Sequence, residues 1–214
     1  MSIAAAIDHL NSLLPLKDRQ LALAPSLRAL HRDILRGFAE AGAPPTRAQI
    51  AARPGLGDAD AALAHLAGDD LIVLTPDRSG VAGAYPFTAE PRAHRVQVNG
   101  HAVHAMCALD ALAVAPMFET GTRIDSRCHV SKRPIRILMQ GAQVTDAQPA
   151  RPRVGIRWQS TSGCAAQTLC MEMVFLYDRA MAEAWRQEDP GHIDIFDLPD
   201  AVHFAAAFFR PLLD

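Results

Sequence analysis

The stretch AVHAMCALDALAVAPMF (residues 102–118) is strongly apolar, yet it contains a thiol and a carboxylic acid only three positions apart, Cys107 and Asp110. Its length and its Ala/Leu content predict a buried helix over residues 101–117, broken by Pro116. A buried carboxylate costs free energy unless it is paired or used chemically. Cys107 and Asp110 are therefore the first candidates for a functional role.

The bulk composition is that of an ordinary globular protein. The 214 residues carry a formal net charge of −2, and 50% of them are hydrophobic, enough for a substantial core. No overall basic charge attracts the chain to nucleic acid or anionic lipid, and no stretch reaches the ~18 apolar residues of a membrane span. The N-terminus lacks a signal-peptide pattern. We expect a cytoplasmic protein without nucleic-acid or membrane partners, whose four cysteines stay reduced.

The N-terminal part of the chain is rich in helical patterns. Apolar residues recur at helical spacing in SLRALHRDILRGFAEAG (residues 26–42), with Ser26 as the expected N-cap and Gly42 as the expected end. Thr46 is expected to cap a short helix that follows. A further helix over residues 58–68 then leads into a strand.

A hairpin over residues 77–88 completes the order helix, short helix, helix, hairpin. This order predicts a winged-helix-like scaffold over residues 1–95, a module that often binds DNA. However, residues 1–95 hold ten Lys/Arg and ten Asp/Glu, and the would-be recognition helix over residues 58–68 has no Lys or Arg and starts with two aspartates. Phosphates would repel that helix. We therefore expect a scaffold that does not bind DNA.

Residues 96–214 mix strands and helices without regular βαβ alternation, which predicts an α+β class with a mixed catalytic domain and an antiparallel-rich sheet. The alternating pattern of residues 122–139 indicates two strands around a Lys-Arg-Pro turn. The other predicted elements are a proline-rich loop and strand over 144–159, a strand over 168–178, a helix over 179–191 ended by Pro190, and a closing helix over 199–213.

Cys107 and Asp110 at i and i+3 would share one helical face, about 5–6 Å apart. Each has a structural explanation, because a buried cysteine is usually a small hydrophobe and a buried Asp usually caps a helix or pairs with an arginine. Their coincidence on one apolar face favours chemistry. His101, His104 and Cys107 could together hold zinc, but the second short paired motif of a structural zinc site is missing, so we do not predict zinc.

The three other cysteines carry weaker signals. Cys170 begins the predicted strand over residues 168–178, where a core role is the simplest interpretation. Cys128 follows Arg127 in a strand and is expected to be structural. Cys164 lies in a small-residue loop, STSGCAAQ, and is either a mobile accessory thiol or without function.

With these residues identified, the chain resembles the organomercurial (alkylmercury) lyases. CALDAL (107–112) is similar to the Cys-Ala-Leu-Asp signature of that family, RIDSRC (123–128) to the strand with its structural cysteine, and TLCMEMVFLY (168–177) to the strand with its second catalytic cysteine. AEAWRQEDPG and HFAAAFF follow in the family's order. The resemblance implies that Cys107, Asp110 and Cys170 are the catalytic residues and that they hold Hg(II) as product.

The resemblance also implies the reaction. Soft thiolates bind the soft metal, Asp110 accepts a thiol proton and then protonates carbon, and the products are a hydrocarbon and Hg(II). No organic cofactor is needed, and low-molecular-weight thiols or a mercuric reductase would remove the metal. The alternative is a lyase-like thiol protein that binds or senses soft metals, or acts on another organometal, without cleaving carbon–mercury bonds.

Overall fold

The computed structural model describes residues 1–159 and 163–214, so the first three residues of the predicted STSGCAAQ loop lie outside the described residues. The described chain confirms the α+β class. The helices are α1 (Ile3–Leu13), α2 (Leu16–Ala22), α3 (Pro25–Ala41), α4 (Arg47–Ala51), α5 (Ala59–Gly68), α6 (Ala108–Phe118), α7 (Arg179–Arg186) and α8 (Leu198–Phe209).

The strands form two antiparallel sheets. The first has the order β1-β2-β3-β5-β4-β6-β7-β8 and the second β10-β9-β11. Their bounds are β1 (Val73–Leu74), β2 (Val81–Ala84), β3 (Phe87–Thr88), β4 (His94–Val98), β5 (His101–Ala105), β6 (Gly121–Arg127), β7 (Pro134–Gln140), β8 (Gln143–Gln148), β9 (Arg153–Arg157), β10 (Met173–Leu176) and β11 (Ile193–Asp197).

Helix α6 is the centre of the core. Every residue from Ala108 to Met117 is buried, and the helix contacts α8 together with strands from both sheets, among them β4, β6 and β10. Pro116 lies in the last turn and does not break the helix, which continues to Phe118. Pro116 removes one backbone N–H donor from the helix, and only Met117 and Phe118 follow it before the helix ends. Because α6 is packed on all sides, the residues at its N-terminus are held in a fixed position.

The N-terminal helices largely follow the predicted pattern. Helix α3 ends at Gly42, whose φ of +73° is a left-handed conformation that glycine adopts without strain. Its N-cap is Ala24, with Pro25 in the first turn, so the prediction of Ser26 as N-cap is wrong. Thr46 caps α4 in a capping box with Gln49, as predicted.

The order α3, α4, α5 and the β1–β2 pair is the order from which a winged-helix-like scaffold was inferred, and that interpretation stays a prediction. The predicted division between residues 1–95 and 96–214 likewise stays a prediction. The predicted boundary falls inside β4, and the strands β1 to β3 belong to the same sheet as β4 to β8.

The prediction of a helix from residue 101 is wrong for its first seven residues, 101–107. Asn99 and Gly100 both have positive φ, +48° and +83°, as a tight hairpin turn between twisted strands requires. The turn pairs Val98 with His101 and His94 with Ala105. His101 and His104 are therefore strand residues, and the helix begins only after Cys107.

Three further segments differ from their predictions. Residues 143–148 form β8, because they pair with β7 as an edge strand, although a proline-rich loop was predicted there. Residues Leu169–Glu172 form a 3₁₀ turn before β10, so the predicted strand begins only at Met173. Helix α7 ends at Arg186, short of Pro190. Among the helices described, none is long and apolar enough to cross a membrane.

Candidate active site

Cys107 occupies the junction between β5 and α6. Its backbone is extended, with φ −146° and ψ −179°, and its sulfur accepts a hydrogen bond of 3.3 Å from the Asp110 backbone N–H. Cys107 is therefore the N-cap residue of α6, a position where Ser, Thr, Asp or Asn is usual. The capping bond points the sulfur back over the first helical turn, on the side where Asp110 lies.

Asp110 is a buried carboxyl that forms no ion pair with any of the described residues. Its side chain is fully buried, and neither oxygen has a hydrogen-bond partner among the described residues. It neither caps a helix nor pairs with an arginine there, which removes both structural explanations for it. Burial raises the pKa of Asp110 to about 7, while the nearby Cys107 thiol and backbone favour the ionised form and oppose that shift. Near neutral pH this carboxyl can both accept and donate a proton.

Cys170 reaches the same place from the 3₁₀ turn Leu169–Glu172. The sulfur atoms of Cys107 and Cys170 and a carboxylate oxygen of Asp110 all lie within 4.8 Å of one another, and all three residues are buried. Two sulfur–metal bonds of about 2.3 Å, the zinc value, would span a similar distance. The predicted site residues are thus brought together, and the cluster can hold one soft metal ion between two thiolates.

The histidines considered as zinc ligands do not join this cluster. Within the part of the chain that the structure describes, Cys107, Asp110 and Cys170 form the one group of three potential metal ligands. His104 instead lies on β5, where its Nδ1 contacts the backbone of Arg92.

Both thiols are protonated in the resting site. Burial, the adjacent Cys170 thiol and the Asp110 carboxylate raise the pKa of Cys107 well above its usual value. The Cys107 hydrogen bond lowers the pKa of Cys170, but burial and the charge of Asp110 outweigh it, so that this pKa is raised as well. A thiolate therefore forms only when a base removes the proton or a metal displaces it.

Methionine side chains surround the cluster. The Cys107 thiol lies 3.7 Å from the Met173 Sδ. Met106 fills space that Gly83 leaves open, because a Cβ at Gly83 would lie only 2.6 Å from the Met106 Cε. A cavity of about 260 Å³ reaches Cys170 between these methionines. This cavity gives access to Cys170, and the side chains of Met106 and Met173 make its wall soft and apolar there.

Sequence analysis missed two residues that hold the segment carrying Cys170. The Tyr85 hydroxyl donates to Asp70 Oδ1 at 3.0 Å and accepts from the Ala166 N–H at 2.8 Å, while Asp70 Oδ2 accepts from the Ala165 N–H at 3.2 Å. The two side chains thus hold the turn Ala165–Gln167 in place by hydrogen bonds, and this turn leads into Leu169–Glu172. No local signal marks them, because they lie some 80 to 95 positions before that turn in sequence.

Removing the Tyr85 hydroxyl should weaken the attachment of this turn, because its hydrogen bonds to Asp70 and Ala166 are lost. In Tyr85→Phe the buried Ala166 N–H loses its acceptor, and we expect the free energy of unfolding to fall by about 1–3 kcal/mol. Urea denaturation measures the loss. The matched control is Tyr177→Phe, since the Tyr177 hydroxyl has no hydrogen-bond partner among the residues described, and it should change stability by less than about 0.5 kcal/mol. Equal effects in the two variants would contradict the role given to Tyr85.

The other two cysteines lie outside the cluster. Cys128 is buried, and its sulfur accepts from the Ser131 N–H at 3.4 Å and the Tyr177 N–H at 3.3 Å, which ties the β6–β7 turn to the end of β10. Cys164 is half-buried, with its sulfur 3.7 Å from the Tyr85 hydroxyl. The structural role of Cys128 and an accessory role of Cys164 remain predictions.

Comparison with known proteins identifies the family. The family model described as alkylmercury lyase matches residues 87–210, a range that includes all three cluster residues. The alkylmercury lyase of Streptomyces lividans is 26% identical over 114 residues, which are 53% of each chain. The alkylmercury lyase of Staphylococcus epidermidis is 27% identical over 169 residues, covering 78% of this chain and 76% of that protein.

A solved structure shares the fold. The mercury-bound form of MerB2 has a TM-score of 0.78 at 19% sequence identity, covering 93% of this chain and 98% of that one. The chain spans about half the length of the Streptomyces lividans, Bacillus cereus and Clostridium butyricum relatives that it matches. Because the family model covers more than half of the sequence and contains the whole buried cluster, the chain belongs to the alkylmercury lyase family.

Proposed function

We propose that this protein is an organomercurial lyase that cleaves the carbon–mercury bond by protonolysis, releasing a hydrocarbon and Hg(II). The observation that carries the proposal is the buried cluster of Cys107, Cys170 and Asp110, in which two thiols and an unpaired carboxyl lie within 4.8 Å of one another. A purely structural core would not retain an unpartnered carboxyl at the N-terminus of its central helix.

The first steps transfer mercury to the protein. The substrate arrives as an organomercury cation bound to a carrier thiolate, because soft metals prefer sulfur ligands. The Cys107 thiol gives its proton to the Asp110 carboxylate, and its sulfur bonds to mercury. Cys170 then adds its own sulfur, and its proton leaves with the displaced carrier thiolate. Mercury now carries two protein sulfurs and the organic group.

The final step breaks the carbon–mercury bond. Two thiolates push electron density towards carbon, and the protonated Asp110 delivers its proton there as the bond breaks. One substrate and two thiols thus give one hydrocarbon, one carrier thiol and one Hg(II) held by Cys107 and Cys170. The burial of the cluster keeps water from competing with this proton transfer, and no organic cofactor takes part.

The thiol chemistry also bears on the cellular location of the protein and on the acceptor of its Hg(II). The mechanism needs Cys107 and Cys170 as thiols, and the cytosol keeps thiols reduced, which supports a cytoplasmic location. Low-molecular-weight thiols or a mercuric reductase would accept the Hg(II) from the two cysteines. The alternative, a thiol protein that binds or senses soft metals, would use the same sulfurs but would release no hydrocarbon.

Hydrocarbon release separates the two functions. Purified protein incubated with phenylmercury and excess thiol should release one benzene for each phenylmercury consumed, measured by gas chromatography, while thiol alone releases none. Mercury that binds stoichiometrically without any benzene would contradict the lyase and support the binding protein.

A further inference from the structure

The cavity beside Cys170 has a positively charged rim. Arg92, Arg127 and Lys132 line it, and we call these three residues the cationic mouth. No Asp or Glu lines the cavity within the described residues. Deeper inside, the lining changes to sulfur-bearing side chains, among them Met173 and Cys170 itself. The cationic side chains at the rim therefore suit a negatively charged group, and the sulfur atoms deeper in the cavity suit a soft atom.

The side chains of the cationic mouth have hydrogen-bond donors that their existing contacts do not use. Arg92 pairs with Glu90 at 3.4 Å and donates to the Met171 Sδ at 3.0 Å, next to Cys170. Arg127 donates to the Lys132 carbonyl at 3.4 Å, and the Lys132 ammonium donates to the His129 carbonyl. Neither Arg127 nor Lys132 has a carboxylate within 4.0 Å among the described residues. Since an arginine has five donors and a lysine three, most of their donors remain available.

We propose that the cationic mouth binds the carboxylate of a small anionic thiol, of which glutathione is one example, and so places the thiol at Cys170. This inference rests on the proposed function, because it names the class of carrier that exchanges mercury with the site. The exchange balances without any redox step. The sulfur of a first carrier thiol bonds to mercury as the Cys170 sulfur–mercury bond breaks, and Cys170 takes the proton that this thiol gives up. A second carrier thiol displaces Cys107 in the same way, so that Hg(II) leaves on two carrier sulfurs and both cysteines end as thiols.

Two features of the cavity favour this ligand class. A volume of about 260 Å³ accommodates a small molecule but no folded partner. The positive charge also lies beside the reacting atom, since the Arg92 guanidinium donates to the Sδ of Met171, the residue next to Cys170. An anionic carrier is therefore attracted to the part of the cavity that adjoins Cys170.

The test uses protein loaded with one equivalent of Hg(II), so no carbon–mercury cleavage is involved. The rate of mercury removal is followed by separating the protein from the small thiols on a desalting column at timed intervals and measuring the mercury that remains bound to the protein. Three thiols are compared at equal thiolate concentration and low salt: anionic 3-mercaptopropionate, neutral 2-mercaptoethanol and cationic cysteamine. We expect the anionic thiol to be about tenfold faster than the neutral one, and the cationic thiol slower still. High salt should reduce these differences.

Variants test whether the cationic mouth causes the rate difference between anionic and neutral thiols. In Arg127→Gln/Lys132→Gln the anionic and neutral thiols should remove mercury at rates within about twofold of each other, while the 2-mercaptoethanol rate stays at the wild-type value. Lys132→Gln alone, which keeps the backbone carbonyl that Arg127 contacts, should lose part of the discrimination. The control Arg151→Gln/Arg186→Gln removes two exposed charges that do not line this cavity and should retain all of it.

Two results would overturn the inference. One is a wild-type protein that does not distinguish the three thiols, and the other is a mouth variant that discriminates as strongly as the wild type. Either result would leave benzene release untouched, so the inference and the proposed function can fail separately.

Discussion

Asp110→Asn is expected to retain Hg(II) binding but to lose carbon–mercury cleavage, with turnover reduced by roughly 10²- to 10⁴-fold, the usual contribution of a positioned proton donor. Asparagine has nearly the same shape, and its amide can neither accept the thiol proton nor deliver one to carbon. The two sulfurs within 4.8 Å of each other remain. Benzene release from phenylmercury measures cleavage, and the mercury–thiolate absorption that appears on adding Hg(II) to a separate, thiol-free sample measures binding. An Asp110→Asn variant with wild-type turnover would remove this carboxyl from the proposed mechanism.

The same substitution should change how stability depends on pH. The folded protein raises the pKa of Asp110 from 3.8 to about 7, so between these values the folded state holds a proton that the unfolded state has lost. The contribution of Asp110 to stability is therefore greatest below pH 4 and is lost as the pH rises through 7. At 1.36 kcal/mol for each pKa unit, this loss is on the order of 4 kcal/mol.

Chemical unfolding of the wild type and Asp110→Asn at several pH values between 4 and 8 measures this difference. We expect the stability of the wild type relative to the variant to fall across the range. Asp146→Asn, which removes an exposed carboxyl on β8, should track the wild type at every pH. Parallel pH profiles for the wild type and Asp110→Asn would contradict the raised pKa.

Cys107→Ser and Cys170→Ser are each expected to abolish turnover and to weaken Hg(II) binding by several orders of magnitude. A hydroxyl is a hard ligand with little affinity for a soft metal, so each variant leaves one sulfur where the mechanism requires two. Folding is a minor concern for Cys107→Ser, because serine is a preferred N-cap residue and can accept the Asp110 N–H in place of the sulfur. Competition with a chelating dithiol measures the loss of affinity.

Cys164→Ser is the matched control for these two variants. It replaces a half-buried cysteine outside the cluster and should keep turnover near the wild-type value. Full activity in Cys170→Ser would show that the wrong cysteine has been paired with Cys107. Loss of activity in Cys164→Ser would instead show that a third thiol takes part.

Local sequence patterns predicted those elements whose signals are short-range. The end of α3 at Gly42 and the β6–β7 pair within residues 122–139 follow from turn chemistry and alternation alone. After the Asn99–Gly100 turn, the residues that follow have an Ala/Val/His composition that suits either a helix or a strand. As a result, β5 was predicted as the first part of α6.

The site was predictable to the extent that its members are close in sequence. The spacing of Cys107 and Asp110 indicated a shared face, and it holds because the N-cap and third residue of a helix are neighbours. No periodicity connects these two residues with Cys170, and only the family resemblance named it. Tyr85 and Asp70 could not be found from sequence, because hydrogen bonds across some 80 to 95 positions depend on the complete fold.

Hydrogen bonds from Tyr85 and Asp70 hold the turn Ala165–Gln167 in place. These bonds matter for any attempt to redesign this protein into a smaller catalyst. Both residues precede position 87, where the match to the family model begins. A miniature scaffold assembled from the matched region alone would inherit the two reactive sulfurs and the acid. It would lack the side chains that hold one of those sulfurs in place, and a substitute for them would have to be engineered first.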